Sequence, residues 1–360
     1  MKPLTILSFG AGAIGTYIGG SLALAGHKVV FLEQPGVVDL LRRTGLSLDL
    51  GIDPRRGAQG KLTVGPPAAE FTSSLDQAFA QTRFDLILFA LKSFDTPTAL
   101  AALKPIYQSA AYQPPVLCLQ NGVDNEPAIA TALGADKVIT GTVTHSVGRL
   151  GPGNIVLEKL RGVGVAENPA LRDRGFTRQL AGILEAAYLN GRYYPKAVDM
   201  KWSKMLTNLT GGAASAILDM TVAEIYAHPG LYEMEIRAMR ETLAVMKAQG
   251  IGVVDVPKTP VRLLTWATRL PGFIARPLMV KFVGGGRGGK MPSFHIDLRN
   301  GRRPSEVDYY NGAVVRAGKK VGIPTPVNQL LNQTLLDLTA GKIPLDEYSH
   351  QPEKFLAKLA

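Results

Sequence analysis

Short apolar runs punctuate the first half of the chain, at intervals that leave room for a helix between them. Residues 4–9 and 28–33 read as strands, and "FDLILFAL" (84–91), "PPVLCLQ" (114–120), "KVITGTV" (137–143) and "NIVLEKL" (154–160) extend the series. Unbroken apolar runs of this length suit strands buried on both faces of a parallel sheet. Residues 96–110 and 124–134 carry helical patterns between them, so the order predicts repeated βαβ units. After about residue 192 the period changes. Trp202, Met205, Leu206 and Leu209 recur at helical spacing, and "LYEMEIRAMRETLAVMKAQG" (231–250) predicts an amphipathic helix closed by a glycine. Val307, Tyr310, Val314 and Ala317 share one side of a helix predicted over 305–320. The fold class is therefore an N-terminal α/β domain with a parallel sheet at 1–192 and a mainly α-helical domain at 193–360, without internal repeats.

Between the first two strands stands Gly10-Ala11-Gly12-Ala13-Ile14-Gly15, followed by a small-residue stretch containing Gly19-Gly20. A G-x-G-x-x-G loop after a strand and before a helix lets the backbone approach a pyrophosphate, which the helix N-terminus then stabilises. The first domain thus reads as Rossmann-type and dinucleotide-binding. Glu33 lies 33 − 15 = 18 residues past Gly15, where an acid would bind the adenine ribose 2′-hydroxyl of NAD. An NADP site wants a cation there; Gln34 is neutral, and the nearest downstream cations are Arg42 and Arg43. The residues alone favour NAD, with a solvated surface glutamate as the alternative.

Composition narrows the class. With 46% hydrophobic and 19% charged residues the chain can bury a sizeable core, which argues against disorder. A single cysteine, Cys118, excludes an intramolecular disulfide framework and suits a reducing compartment; in its apolar run it reads as a buried structural thiol. The first strand runs straight into the glycine loop without a leader pattern, and no apolar stretch is long enough to span a membrane, so a cytoplasmic location is expected. Five histidines, at 27, 145, 228, 295 and 350, show no metal-ligand spacing.

The net charge of +11 is concentrated. Residues 258–303 hold ten Lys or Arg against Asp297 alone, 10 − 1 = +9. Such a segment attracts nucleic acid, an acidic membrane surface or anionic small molecules. Its "GGGRGG" run (284–289) occurs once and lacks interleaved aromatics, so it reads as a flexible loop and nucleic acid is not the expected partner. Pro271 and Pro277 interrupt any single membrane-lying helix over 261–283.

The helical domain carries "DMKWSKMLTNLTGGAASAI", in which Lys204 and Asn208 share one helix face. A partly buried lysine there could protonate a carbonyl oxygen; a snorkelling surface lysine is the alternative. Further on, "KMPSFHIDLRNGRRPSEVDYYNG" (290–312) offers Ser305 as a helix N-cap with Glu306 in the first turn, and Asp308 and Asn311 further round. These could equally be the solvated side of the helix. On spacing alone Lys92 is a lysine after a strand, and Asn121 a turn residue in "QNG".

Taken in order, the glycine loop, "ALKSFDT", "LQNGVDNE", "GTVTHSVGRLGPG", "KWSKMLTN" and "PSFHIDLRNGRRPSEVDYYNG" resemble the ketopantoate reductase (2-dehydropantoate 2-reductase) family over nearly the whole chain. The resemblance implies NAD(P)H-dependent reduction of ketopantoate to pantoate, by hydride transfer to the 2-keto carbon, and makes NADPH, the family's usual coenzyme, the expected one, with NAD possible because of Glu33. It implies Lys204 as general acid, Asn208 as a substrate-binding residue and Ser293 as the carboxylate's partner. Glu306 would bind the substrate's hydroxyl end, orient the lysine and stand near the coenzyme. Gly10, Ala11, Gly12, Ala13, Ile14, Gly15 and Gln34 would contact the coenzyme, together with Lys92, Asn121 and the backbone of Val147; Asn121 would also face substrate. The implied partner is a small-molecule 2-keto acid, with homodimerisation left open.

Four departures bear on specificity. An asparagine common four residues after Asn208 is Gly212, and one expected near 222 is absent, with only Thr221 nearby. Glu33-Gln34 replaces the usual cation, and a basic insertion at about 256–290 precedes Ser293. The alternatives are a reductase of a different 2-keto acid with the same mechanism, and a coenzyme-sensing binding protein without catalysis.

Overall fold

Ile6 and Leu7 in β1 (Thr5–Phe9) are wholly buried, as expected of a strand covered on both faces. The computed structural model describes residues 2–57, 60–171, 173–284, 290–301 and 304–359. Arg287, Arg302 and Arg303 of the basic segment, and positions 285–289 of its glycine run, lie outside the described residues. The chain divides into two compact units: Met1–Lys201 with Val256–Thr259, and Trp202–Asp255 with Pro260–Ala360.

In the first unit β1 is followed by α1 (Ala13–Leu24), β2 (Lys28–Leu32), α2 (Pro35–Thr44), β3 (Leu46–Asp49), β4 (Lys61–Val64), β5 (Ala69–Thr72) and α3 (Leu75–Gln81). Then come β6 (Leu86–Phe89), α4 (Thr96–Ser109), β7 (Val116–Cys118), α5 (Asn125–Leu133), β8 (Val138–Val143), β9 (Ser146–Gly151), β10 (Asn154–Lys159), β11 (Val163–Ala166), α6 (Arg174–Ala186) and β12 (Gly191–Tyr194). The main sheet has the order β12-β11-β8-β7-β6-β1-β2-β5. Its six strands from β5 to β8 are all parallel. Numbered by chain order they run 3-2-1-4-5-6, the doubly wound arrangement that binds dinucleotides at the point where strand order reverses. Strand β11 is antiparallel to β8 and extends this sheet.

The run at 154–160 does not continue the parallel series. As β10 it belongs to a second, four-stranded sheet of order β4-β3-β10-β9. The reason is visible in its burial: Ile155 and Leu157 are buried while Val156 and Glu158 are only half-buried, the alternation of a strand with one covered face. Helix α1 packs against strands of both sheets. A Cβ on Gly19 would come within 2.7 Å of the Phe31 ring in β2, and one on Gly20 within 2.8 Å of Leu48 in β3. The glycine pair is what allows so close an approach.

Near this helix, His145 is buried with defined proton positions. Its Nδ1 accepts from the Arg161 N–H at 3.1 Å, so Nε2 carries the proton and donates to the Leu189 carbonyl at 3.1 Å. Burial drives its pKa down from 6.5 to about 4. Between those values the unfolded chain takes up a proton that the folded chain refuses. Stability should therefore fall as pH drops from 6.5 to about 4, and level off below, by up to about 3 kcal/mol. Urea unfolding across that window should show a shallower pH slope for His145→Gln; an unchanged slope would rule out this origin.

Helix α7 (Ala197–Leu209) begins in the first unit, and its residues from Trp202 onward belong to the second. The described remainder of the second unit is helical: α8 (Gly212–Leu218), α9 (Val222–Ala227), α10 (Pro229–Ala248), α11 (Val261–Ala267), α12 (Gly272–Met279), α13 (Ser293–Arg299), α14 (Asn311–Val321), α15 (Pro326–Ala340) and α16 (Pro352–Leu356). Gly250, at φ +68, lies just past α10, as expected for the helix predicted over 231–250. The helix predicted over 305–320 is interrupted. Glu306–Tyr309 form a 3₁₀ turn, the backbone breaks at Tyr310, and α14 starts at Asn311. Val307, Tyr310 and Val314 are nevertheless all buried, so the apolar face is continuous where the helix is not. The insertion folds as α11 and α12, with Pro271 at the N-cap of α12 and Pro277 inside it. Among the described residues no helix is long and apolar enough to cross a membrane, and no cluster of His, Cys, Asp and Glu is placed to hold a metal.

Candidate active site

Of the residues expected at the coenzyme, the glycine loop, Gln34, Lys92 and Asn121 lie in the first unit, at the C-terminal ends of its parallel strands; Glu306 lies in the second unit. Strand β1 delivers Gly10, whose φ of +90 is open to glycine without strain and whose N–H bonds the Leu32 carbonyl at 3.1 Å. Gly12 is the N-cap of α1, and nothing lies within 4 Å of where its Cβ would be. At Gly15 the opposite holds, since a Cβ there would run into the Gly10 carbonyl oxygen. Thr16 fixes the turn, its hydroxyl donating to the Ala11 carbonyl at 2.9 Å and its N–H to Gly12 O at 2.9 Å. Ala11 is buried, and Ala13 and Ile14 are half-buried in the first turn. No side chain caps α1 and its first turn carries no acid, which leaves the positive end of the helix available to an anion.

Glu33, one residue past β2, turns back to this loop. One carboxylate oxygen accepts the Ala11 N–H and the other the Gln34 N–H at 3.3 Å. Gln34 itself is exposed and caps α2 through its backbone only. Arg42 donates to the Phe71 carbonyl at 3.2 Å.

Lys92 and Asn121 follow β6 and β7, and the structure ties their loops together. Gln120 Nε2 donates to the Thr96 hydroxyl at 2.8 Å and to the Lys92 carbonyl at 3.3 Å. Asn125 Nδ2 donates to the Asn121 carbonyl at 2.7 Å and to Ser93 Oγ at 3.1 Å. Gly122, at φ +85, makes the turn that "QNG" predicts. The glycine loop, Glu33, Lys92 and Asn121 therefore line one edge of the sheet, on both sides of the reversal point between β1 and β6. Val147 is elsewhere in the unit, on β9 of the smaller sheet, opposite Leu157.

In the second unit, Trp202, Met205, Leu206 and Leu209 bury one side of α7, leaving Lys204, Thr207 and Asn208 half-buried on the other. Lys204 Nζ donates to Asn208 Oδ1 at 2.7 Å, a contact that two residues on one helix face, four apart, can make. Ser293 opens α13 and is exposed. Glu306 is buried, 7% exposed, in the turn that Ser305 caps by accepting the Val307 N–H at 3.2 Å. The Phe294 and Tyr310 rings, 5.0 Å apart, bring α13 and the Glu306 turn together.

Among the buried charges that sequence reasoning passed over are Glu235 and Lys201. Glu235, 1% exposed on α10, accepts the Gly211 N–H at 2.8 Å where the Gly211-Gly212 pair starts α8. Lys201, 5% exposed, is ion-paired with Glu126 at 2.9 Å. Each had a signal: Glu235 lies four residues from Leu231 and Met239, and Lys201 four from Met205, so both interrupt an apolar helix face.

The model of the ketopantoate reductase PanE/ApbA family matches residues 6–169, and that of the family's C-terminal part matches 196–338. The chain belongs to the ketopantoate reductase family. The family's members are nicotinamide-dependent oxidoreductases acting on CH–OH groups, and this chain is such an enzyme. It is similar to the 2-dehydropantoate 2-reductase of Streptococcus pyogenes serotype M6, 26% identical over 329 residues, covering 90% of this chain and 94% of that one. The PanE/ApbA family ketopantoate reductase of Ralstonia eutropha JMP134 superimposes with a TM-score of 0.75 at 27% identity, over 94% of this chain and 99% of that one. D-mandelate dehydrogenase with NADH and anilino(oxo)acetate shares the fold, at a TM-score of 0.73 and 21% identity over 94% and 99% of the two chains.

Proposed function

We propose that the chain reduces the keto group of a 2-keto acid, ketopantoate first among them, with Lys204 as the proton donor. The observation that carries this reading is the Lys204–Asn208 hydrogen bond on the polar side of a helix whose other side is buried. Asn208 limits the lysine's rotamers and holds its ammonium in place. A carbonyl oxygen gains charge as carbon 2 is reduced, and a cationic donor at that oxygen lowers the barrier. Ser293 would hold the carboxylate and Glu306 the far end of the substrate, fixing carbon 2 for attack. The open space at Gly12 and the uncapped start of α1 fit a pyrophosphate, and Lys92 and Asn121 stand at the sheet edge where the rest of a dinucleotide would lie. The bound nicotinamide supplies the hydride.

The coenzyme preference is read from Glu33. The family resemblance points to NADPH, but a 2′-phosphate at the end of β2 would face this carboxylate. We expect kcat/KM with NADH to exceed that with NADPH by at least about tenfold, the equivalent of about 1.4 kcal/mol of like-charge repulsion. Glu33→Gln should narrow the ratio. A wild-type preference for NADPH would overturn this assignment.

A second substrate reading is favoured by the surroundings of Gly212. The Phe294 ring stands 3.6 Å from where its Cβ would be, and Val222 packs on Gly211. The Thr221 hydroxyl is engaged in a capping box with Glu224. Apolar groups thus occupy positions where the family places asparagines, which suits a 2-keto acid without a distal hydroxyl. A matched pair decides between the two: ketopantoate, and 3,3-dimethyl-2-oxobutanoate, which lacks only that hydroxyl. A site that grips the hydroxyl favours ketopantoate by about 10⁴-fold, whereas comparable rates support the apolar substrate.

A further inference from the structure

The Lys201 ammonium is buried in the first unit with three oxygens around it. It donates to the Gln120 carbonyl at 2.5 Å, pairs with Glu126 at 2.9 Å and reaches the Gly141 carbonyl at 3.4 Å. Three donors meet three oxygens, and these belong to the loop after β7, the first turn of α5 and strand β8. The Gln120 carbonyl is half of the peptide group that leads into Asn121. The next carbonyl, that of Asn121, accepts from Asn125 Nδ2 at 2.7 Å and from Ser93 Oγ at 3.3 Å. Both peptide planes that set the direction of the Asn121 side chain are therefore fixed, the first of them by Lys201.

We infer that Lys201 is a positioning residue for coenzyme binding: it sets the Gln120–Asn121 turn so that Asn121 meets the nicotinamide end of the dinucleotide. This rests on the reading of Asn121 as a coenzyme contact given above. An ion pair serving stability alone is replaceable by apolar groups of similar volume at little cost. Here the ammonium does what an apolar side chain cannot, holding a carbonyl at the sheet edge where the dinucleotide binds. Removing it releases that carbonyl and leaves the Glu126 carboxylate, 12% exposed, without its cation.

The test is a double-mutant cycle read by fluorescence titration with NADH, which needs no turnover. Lys201→Met should weaken NADH binding by about tenfold or more, and in an Asn121→Ala background the same change should weaken it little further, because both act through one contact. Lys201→Arg, which keeps the cation, should recover part of the affinity. If Lys201→Met yields no folded protein, the cycle is run with Lys201→Arg, whose loss should likewise vanish in the Asn121→Ala background. Wild-type affinity in the single variant, or losses that simply add, would overturn the inference. Failure of the reductase reading shows separately, as a wild-type protein that binds NADH and reduces no 2-keto acid.

Discussion

Replacing Lys204 with alanine is expected to lower kcat by about 10²–10⁴-fold, the range that a positioned general acid supplies. Coenzyme affinity should stay near wild type, because every residue assigned to the dinucleotide except Glu306 lies in the other unit. Without the ammonium the charge developing on the substrate oxygen is met by water, whose dipoles must reorganise as the reaction proceeds. Asn208 would remain, but an amide donates only a neutral hydrogen bond, about half as strong as a charge-assisted one. Lys204→Arg should rescue little, since a guanidinium keeps its proton and presents it in a different geometry. Steady-state rates with ketopantoate, beside NADH titrations of the same preparations, separate the two effects. Turnover within a few-fold of wild type would end the assignment of Lys204 as donor.

The second large effect is expected in the glycine loop, where two neighbouring substitutions should behave differently. Gly15→Ala drives a methyl group into the Gly10 carbonyl oxygen, so β1 and α1 must separate locally. Overpacking of this kind costs about 1–3 kcal/mol of stability. A loop displaced by even 1 Å should weaken NADH binding and, by misplacing the nicotinamide, lower kcat/KM by about 10²-fold. Gly12→Ala adds its methyl to open space, so the thermal midpoint should not move. If a pyrophosphate passes over that backbone, the variant should still lose NADH affinity. Normal NADH binding by Gly12→Ala would mean that the coenzyme takes another route past the helix.

These expectations rest on parts of the molecule that differ in how plainly the sequence showed them. The strands of the parallel sheet were legible because both faces are covered, which leaves unbroken runs such as Leu86–Phe89. The second sheet was not, because its strands are four to six residues long and covered on one face, and β10 borrowed the look of its neighbours. The glycine loop and the Lys204–Asn208 pair were legible because their geometry is local, fixed by a turn and by one helical period. The partners of Lys201 were not: its place on an apolar helix face showed in the spacing, but it bonds a carbonyl 81 residues away and no spacing rule reaches so far. Ser293 and Glu306 had no local signal of chemistry beyond a helix start; only the family resemblance singled them out. The interruption at Tyr310 escaped for a related reason, as burial of Val307, Tyr310 and Val314 preserves the apolar stripe across the break.

The glycine pair in α1 has a bearing on the heat and entropy of binding. A helix held against both sheets through Gly19 and Gly20 has little freedom to fray or tilt, so its internally hydrogen-bonded amides, beyond the first turn, should exchange with deuterated solvent only when the unit unfolds as a whole. The N–H groups at its start are then already fixed before any ligand arrives. A dinucleotide binding there would have no helix to order, and its affinity would carry no conformational surcharge from the protein at the pyrophosphate.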